Sequence, residues 1–183
     1  MTDKLTYFLT RHHACSEGLS RLAATGAATP EEAWIRADAR DLVWAVTRPG
    51  VMSSDQRRRF LAEAVLAPIE HLLTDERSKN ILQKLRTNEC VTQEDKDAAA
   101  YAAARSAARA ADAASWAAAY AASAAYAAAA ASWAAASQTA EAAAGAAAAE
   151  ASAEDADAVY ASAREAQARW IRDNFTISDL NIN

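Results

Sequence analysis

From Ala98 to Ala151, 36 of 54 residues are alanine, and this stretch constrains the fold more than any other feature. Alanine is the strongest helix former and loses no side-chain entropy in a helix, so the tract predicts helix. A single rod from Gln93 to Phe175 would be about 120 Å long at about 1.5 Å per residue. A compact chain of 183 residues has a radius of gyration of about 16 Å. The tract must therefore fold back on itself into long antiparallel helices. Two hinges are expected, at Ser137-Gln138-Thr139 and between Gly145 and the cap-like Ser152-Ala-Glu-Asp155.

Helical phase divides the tract. Advancing about 100° per residue from Tyr101, the residues Arg105, Arg109, Asp112, Trp116, Tyr120, Ser123, Tyr126 and Trp133 share a limited arc. The opposite side is nearly pure alanine, broken by Ser106, Ser132 and Thr139. Large apolar and charged residues thus travel together, the reverse of an ordinary amphipathic helix. A flat alanine face lets a second helix approach within or below the usual spacing of about 8–10 Å, so it is expected to form an internal seam. The default role of the aromatics is to fill volume against the N-terminal helices; exposed, they would make a protein-binding surface.

The first 91 residues carry the bulky apolar side chains. Leu5, Phe8, Leu9, His12, Cys15, Leu19 and Leu22 recur at spacings of three and four, which predicts one helix from Asp3 to Ala24. Thr29-Pro30-Glu31-Glu32 is a helix start: a cap, proline at the first helical position, then acids. The block from Asp41 to Val46 reads as a short buried helix ended by Pro49-Gly50. Ser53 or Ser54 caps a helix through Leu66, which Pro68 kinks or ends. Asp75 to Arg86 forms another, and Thr92 with Asp95 caps the alanine tract. At the far end, Val159, Ala163, Ala166 and Trp170 form an inward stripe with Tyr160 and Ile171, leaving Glu150, Glu154, Asp157 and Glu165 outside it. The class is all-α: an N-terminal bundle of short helices (1–91) packed on long alanine-rich antiparallel helices (92–175), with a loose tail (176–183).

Composition narrows the functions. Four glycines and three prolines are too few for the turns of a β-sandwich or barrel. A net charge of −5 disfavours nucleic acid, whose binding rests on neutralising phosphates. Charged residues within the alanine tract argue against a membrane span, and Met1-Thr-Asp-Lys leads into an amphipathic segment rather than a secretory leader. Two cysteines make no disulfide framework, so a reducing cytoplasm is expected.

The catalytic and cofactor motifs of phosphate loops, nucleophile elbows and metalloproteases are absent, so no enzyme activity, cofactor or metal is expected. His12 and Cys15, three apart, read as members of a core face rather than as metal ligands. Arg57-Arg58-Arg59 reads as a solvated or acid-paired face rather than a phosphate site. Two sets of residues remain as candidates. Trp116, Tyr120, Tyr126 and Trp133, with the acidic Glu150, Glu154 and Asp157, suit a protein partner. Trp34, Trp44 and His71, brought together, would line a pocket for a small molecule.

The order of local signatures is also familiar. Ala14-Cys15-Ser16-Glu17-Gly18-Leu19 precedes Glu32-Ala33-Trp34, then Asp41 to Trp44, Arg58-Arg59-Phe60, Asp75-Glu76-Arg77 with Ile81-Leu82, the Thr92 cap and the alanine/tryptophan tract. From about Thr10 to Phe175 the chain resembles the alanine-rich immunity proteins of bacterial polymorphic toxin systems, a family also found in phage genomes. The resemblance implies a non-enzymatic inhibitor that neutralises a cognate toxin or effector in the cytoplasm, and it carries over no catalytic residue. Two other expectations stand beside it. One is a phage anti-defence protein that binds a host protein or a small signalling molecule. The other is a structural protein that assembles into homo-oligomers through its alanine faces.

Overall fold

In the computed structural model of the chain, residues 1–109, 120–125, 128, 133–150 and 155–181 are described, the side chains of 105–109, 133–138 and 150 excepted. Every regular element among them is helical. Six short helices come first: α1 (Asp3–Arg11), α2 (Ser16–Ala24), α3 (Pro30–Arg36), α4 (Ala39–Val46), α5 (Ser54–Arg59) and α6 (Glu76–Thr87). Three long ones follow: α7 (Gln93–Arg109), α8 (Trp133–Glu150) and α9 (Ala156–Asn174).

Local capping explains most of the starts. Thr29 Oγ1 accepts from the Glu32 amide at 3.2 Å, while the Glu32 carboxylate accepts from the Ala28 amide at 2.7 Å. Asp38 and Asp75 cap α4 and α6 in the same way. Ser53 and Gln56 form a reciprocal capping box at α5. Each satisfies amides that a helix start leaves without partners. At the other end of α6, Asn88 takes the left-handed conformation (φ 59°) that commonly closes a helix.

The single helix expected from Asp3 to Ala24 is broken. α1 ends at Arg11, His13 turns the chain with φ 53°, and Cys15 Sγ accepts from the Gly18 amide at 3.4 Å to start α2. The break folds α2 back, so that Leu22 joins Leu5, Phe8 and Leu9 in the core and Leu19 is left exposed. The continuous stripe through His12 and Cys15 therefore does not exist.

α5 runs directly into a π-helical segment, Phe60–Leu66, and then a 3-10 segment, Ala67–Leu72. The change in hydrogen-bond register falls just ahead of Pro68, which has no N–H to donate and whose ring opposes an α-helical turn. Phe60, Leu61, Ala62, Ala64, Val65 and Leu66 are all buried. Apart from the exposed Glu63 the segment is apolar all round, as suits the centre of a core, and it packs against α6, α8 and α9.

The alanine seam is present wherever the tract is described: Ala99, Ala121, Ala124, Ala125, Ala140, Ala144 and Ala146 have essentially no exposed surface. α8 and α9 pack antiparallel, with Gln167 Nε2 donating to the Ala140 carbonyl at 3.1 Å. The first expected hinge, Ser137-Gln138-Thr139, does not bend the chain, since it lies within α8. The second, the stretch from Gly145 to Asp155, spans the end of α8 at Glu150 and runs up to the start of α9 at Ala156. Residues 151–154 of that stretch lie outside the described residues. Gly145 faces the Tyr120 ring, where an added Cβ would make an ordinary contact at 3.7 Å.

α9 is rotated from its expected phase. Arg164, Gln167, Ala168 and Ile171 are buried, Val159, Ala163 and Trp170 are half-buried, and Ala166 is exposed. Gln167 enters because the Ala140 carbonyl satisfies its amide, which removes most of the penalty for burying it. The tail is not loose either. Phe175 and Leu180 are buried, Gln56 donates to the Asp179 carbonyl at 2.9 Å, and the Asn181 amide donates to the Val51 carbonyl at 3.0 Å.

Asp95 ties α7 to α6. Its carboxylate accepts from Lys84 Nζ at 2.6 Å and from the Thr92 amide at 2.8 Å. The Lys84 contact first, and Thr92 second, hold the carboxyl at about 2, below the unfolded value of about 3.9. The contact therefore stabilises above about pH 4 and fades as pH falls toward 2. Asp95→Asn is expected to cost about 1 kcal/mol at pH 7, with a deficit in thermal midpoint that shrinks below pH 4. An undiminished deficit at pH 3 would show that the charge is not what matters. In the seam, Ala144→Leu should cost about 1–3 kcal/mol by overpacking, read from urea midpoints.

Candidate functional site

Helices α1 to α4 are short, and their inward faces mix large and small side chains. Phe8, Leu9, Leu22, Leu42 and Trp44 alternate with Ala14, Ala33, Ala37 and Ala45. The alanines leave space that larger residues would fill. The result is a cavity of about 350 Å³ bounded by α1–α4 and closed in part by α8, α9 and Ile177. The cavity opens in part to solvent and is lined mainly by apolar side chains. It falls within the range of small-molecule sites, about 300–1,000 Å³.

Aromatic residues shape one wall. Phe8 and Trp44 meet edge to face, 6.3 Å apart at 87°. The Arg48 guanidinium lies 5.0 Å above the Trp44 ring and donates to the Trp44 carbonyl at 3.0 Å, so Trp44 is pinned from outside. Trp34 is held through its backbone: Arg172, from α9, donates to the carbonyls of Trp34 (3.4 Å) and Ala37 (2.7 Å). A cation on those helix-terminal carbonyls is favourable and fixes α3 against α9.

Charged groups stand at two places on the wall. Arg21 grips Asp41 through Nε (3.0 Å) and Nη2 (2.6 Å) and reaches Glu17 at 2.6 Å. This two-pronged bond to Asp41, first among the causes, holds the Arg21 pKa above its ordinary value. The second group joins α8 and α9. Arg164 lies 3.7 Å from the Glu141 carboxylate, which also accepts a hydrogen bond from the Tyr160 hydroxyl. Burial, then that hydrogen bond, push the Tyr160 phenol up to about 12, so it stays protonated and donates at neutral pH.

Of the residues expected to form a small-molecule pocket, Trp34 and Trp44 line the cavity and His71 does not. His71 sits exposed on the 3-10 segment, which Pro68 directs elsewhere. The expected protein-binding set is only partly placed. Trp116, Tyr126 and Glu154 lie outside the described residues, as do the side chains of Trp133 and Glu150 at the ends of α8. Tyr120 is 44% exposed and Tyr101 is 53% exposed. Neither fills the core as their default reading supposed, because the alanines take the inward positions. Asp157 is exposed on α9, and Arg169 shares the exposed side, so that face is not purely acidic.

The basic run is engaged within the protein: Arg58 donates to the Leu85 carbonyl at 2.7 Å, and Arg59 to Asn174 Oδ1 at 3.0 Å. Among the described residues no three His, Cys, Asp or Glu side chains gather as a metal site requires, and no helix is long and apolar enough to cross a membrane. Arg164, which the sequence reading passed over, lines the cavity although it is only 6% exposed. Its signal was positional: four residues after Tyr160 and seven before Ile171, it shares their face.

Comparison with protein-family models, curated proteins and solved structures gives no match, so function rests on the chain's own geometry. One variant probes the cavity wall. A Cβ at Gly18 would make only ordinary contacts, 3.6 Å from Cys15 Sγ and 3.7 Å from Arg21 and Asp41. Gly18→Ala should therefore stabilise by about 0.5–1 kcal/mol through helix propensity. Destabilisation in a urea titration would mean that the cavity wall has no slack there.

Proposed function

We propose that this chain acts by binding, and that its guest is a small molecule with a mainly apolar body held among α1–α4. The observation that carries this reading is the cavity of about 350 Å³ lined by Phe8, Trp34 and Trp44. A guest that enters it removes apolar wall from water, which favours binding. Sequestering a small signalling molecule is the biological role that such a site serves most directly.

The two cavity tryptophans supply the readout. Titration with 2-naphthylacetamide, a neutral aromatic probe, should change tryptophan fluorescence saturably and raise the thermal midpoint. Ala33→Trp or Ala45→Phe, which fill the space, should abolish both responses while the chain stays folded by circular dichroism. The absence of any saturable response to naphthyl probes of every charge would remove this reading.

A second reading, an immunity-like inhibitor of a toxin or effector, is supported by the exposed Tyr120 and the exposed Asp157 on the long helices and by the family resemblance. Tyrosines are favoured anchors of protein interfaces. Co-expression with an adjacent toxin-domain gene should then restore growth. Tyr120→Arg or Asp157→Arg should weaken that protection while Ala45→Phe leaves it intact; the opposite pattern would assign protection to the cavity.

A further inference from the structure

We infer that the guest of this cavity is an organic monocarboxylate and that Arg164 is its counter-ion. The inference rests on the cavity being a binding site and adds the chemistry of what it takes. Arg164 is more than nine-tenths buried, lies on the cavity wall, and carries a guanidinium with five N–H donors. Only one of its nitrogens is used: Nη1 donates to Gln167 Oε1 at 3.3 Å and lies 3.7 Å from Glu141 Oε2. Among the described residues, Nε and Nη2 have no hydrogen-bond acceptor.

The other cavity arginines lack this spare capacity. Arg21 is committed to Asp41 and Glu17, and Arg40 is a solvent-exposed side chain 3.6 Å from Glu17. Nε and Nη2 of Arg164 are not sealed in the interior, and on the wall of a cavity they can donate to an anion that enters it. Acidic groups already face the other cavity arginines: Arg21 and Arg40 lie against Asp41, Asp38 and Glu17. Arg164 meets only Glu141 among the described carboxylates, and that side chain is 61% exposed and already accepts from Tyr160. The planar guanidinium of Arg164 presents paired donors that match a carboxylate's two oxygens. The apolar walls take the rest of the guest.

Three matched probes test this: 2-naphthylacetate, its neutral amide 2-naphthylacetamide, and the cation 2-naphthylethylamine, titrated by tryptophan fluorescence and calorimetry. The acetate should bind at least about tenfold more tightly than the amide, and the amine most weakly. Arg164→Gln should bring acetate and amide to within about twofold of each other while amide binding persists. Should Arg164→Gln not fold, Arg164→Lys keeps the charge but loses the fork, and should cut the preference for the acetate severalfold.

A readout on the native side chain stands beside these. In a Cys90→Ser background, 2-naphthylacetate should slow labelling of Cys15, a cavity-wall thiol, at concentrations where the amine does not. Equal binding of acetate and amide to the wild-type chain would overturn the carboxylate assignment and leave the cavity reading standing. If no probe binds, both fall.

Discussion

Alanine sets the terms of this structure. A methyl group lets two helix backbones approach closely, but its burial contributes little hydrophobic free energy, which scales with the apolar area removed from water. An alanine-rich layer therefore packs well and stabilises itself poorly. The difference is made up by the first half of the chain, where Leu42, Val43, Phe60, Leu66, Leu73, Ile81 and Leu82 are almost fully buried. The segment Phe60–Leu66 lies where the two layers meet, against α6 on one side and α8 and α9 on the other. Its apolar character, broken only by the exposed Glu63, follows from that position.

The same division of labour produces the cavity. Where the long helices meet α1–α4, short elements with alternating large and small side chains cannot fill the space between them. Arginines fix the framework around that space. Arg36, Arg48, Arg58 and Arg172 each donate to a backbone carbonyl at or near the end of a helix, where orphan acceptors and the helix dipole favour a cation. Arg21 does the corresponding work between side chains, through Asp41. Arg164 differs from all of these: it is buried, close to the void, and bonded through a single nitrogen. That contrast makes it the residue on which ligand chemistry turns.

Much of the fold was legible because its signals are local. The starts at Thr29, Ser53, Asp75 and Thr92 depend on a side chain and an amide two or three residues away, and each was found where its residue types predicted. The alanine seam was legible for a related reason, since helical phase needs only residue spacing. Of the cavity, Trp34 and Trp44 were anticipated as pocket residues, whereas His71 was grouped with them although nothing local indicated where the chain goes after Pro68.

Residue order by itself determined an all-helical chain, most of its helix starts and the inward side of its alanine tract, because these rest on propensity, capping and spacing over a few residues. Tertiary structure decided the rest. The stripe from Leu5 to Leu22 is compatible with one straight helix, and it breaks at His13 because folding back buries Leu22 with Phe8. Gly145 could end a helix or lie inside one, and α8 continuing to Glu150 settles which. Arg164 and Gln167 are residue types that mostly lie at the surface, and here the Ala140 carbonyl and the cavity supply an interior for them. In the first and last cases the deciding partner lies far away in the chain, and burial of a polar or irregular residue depends on that partner.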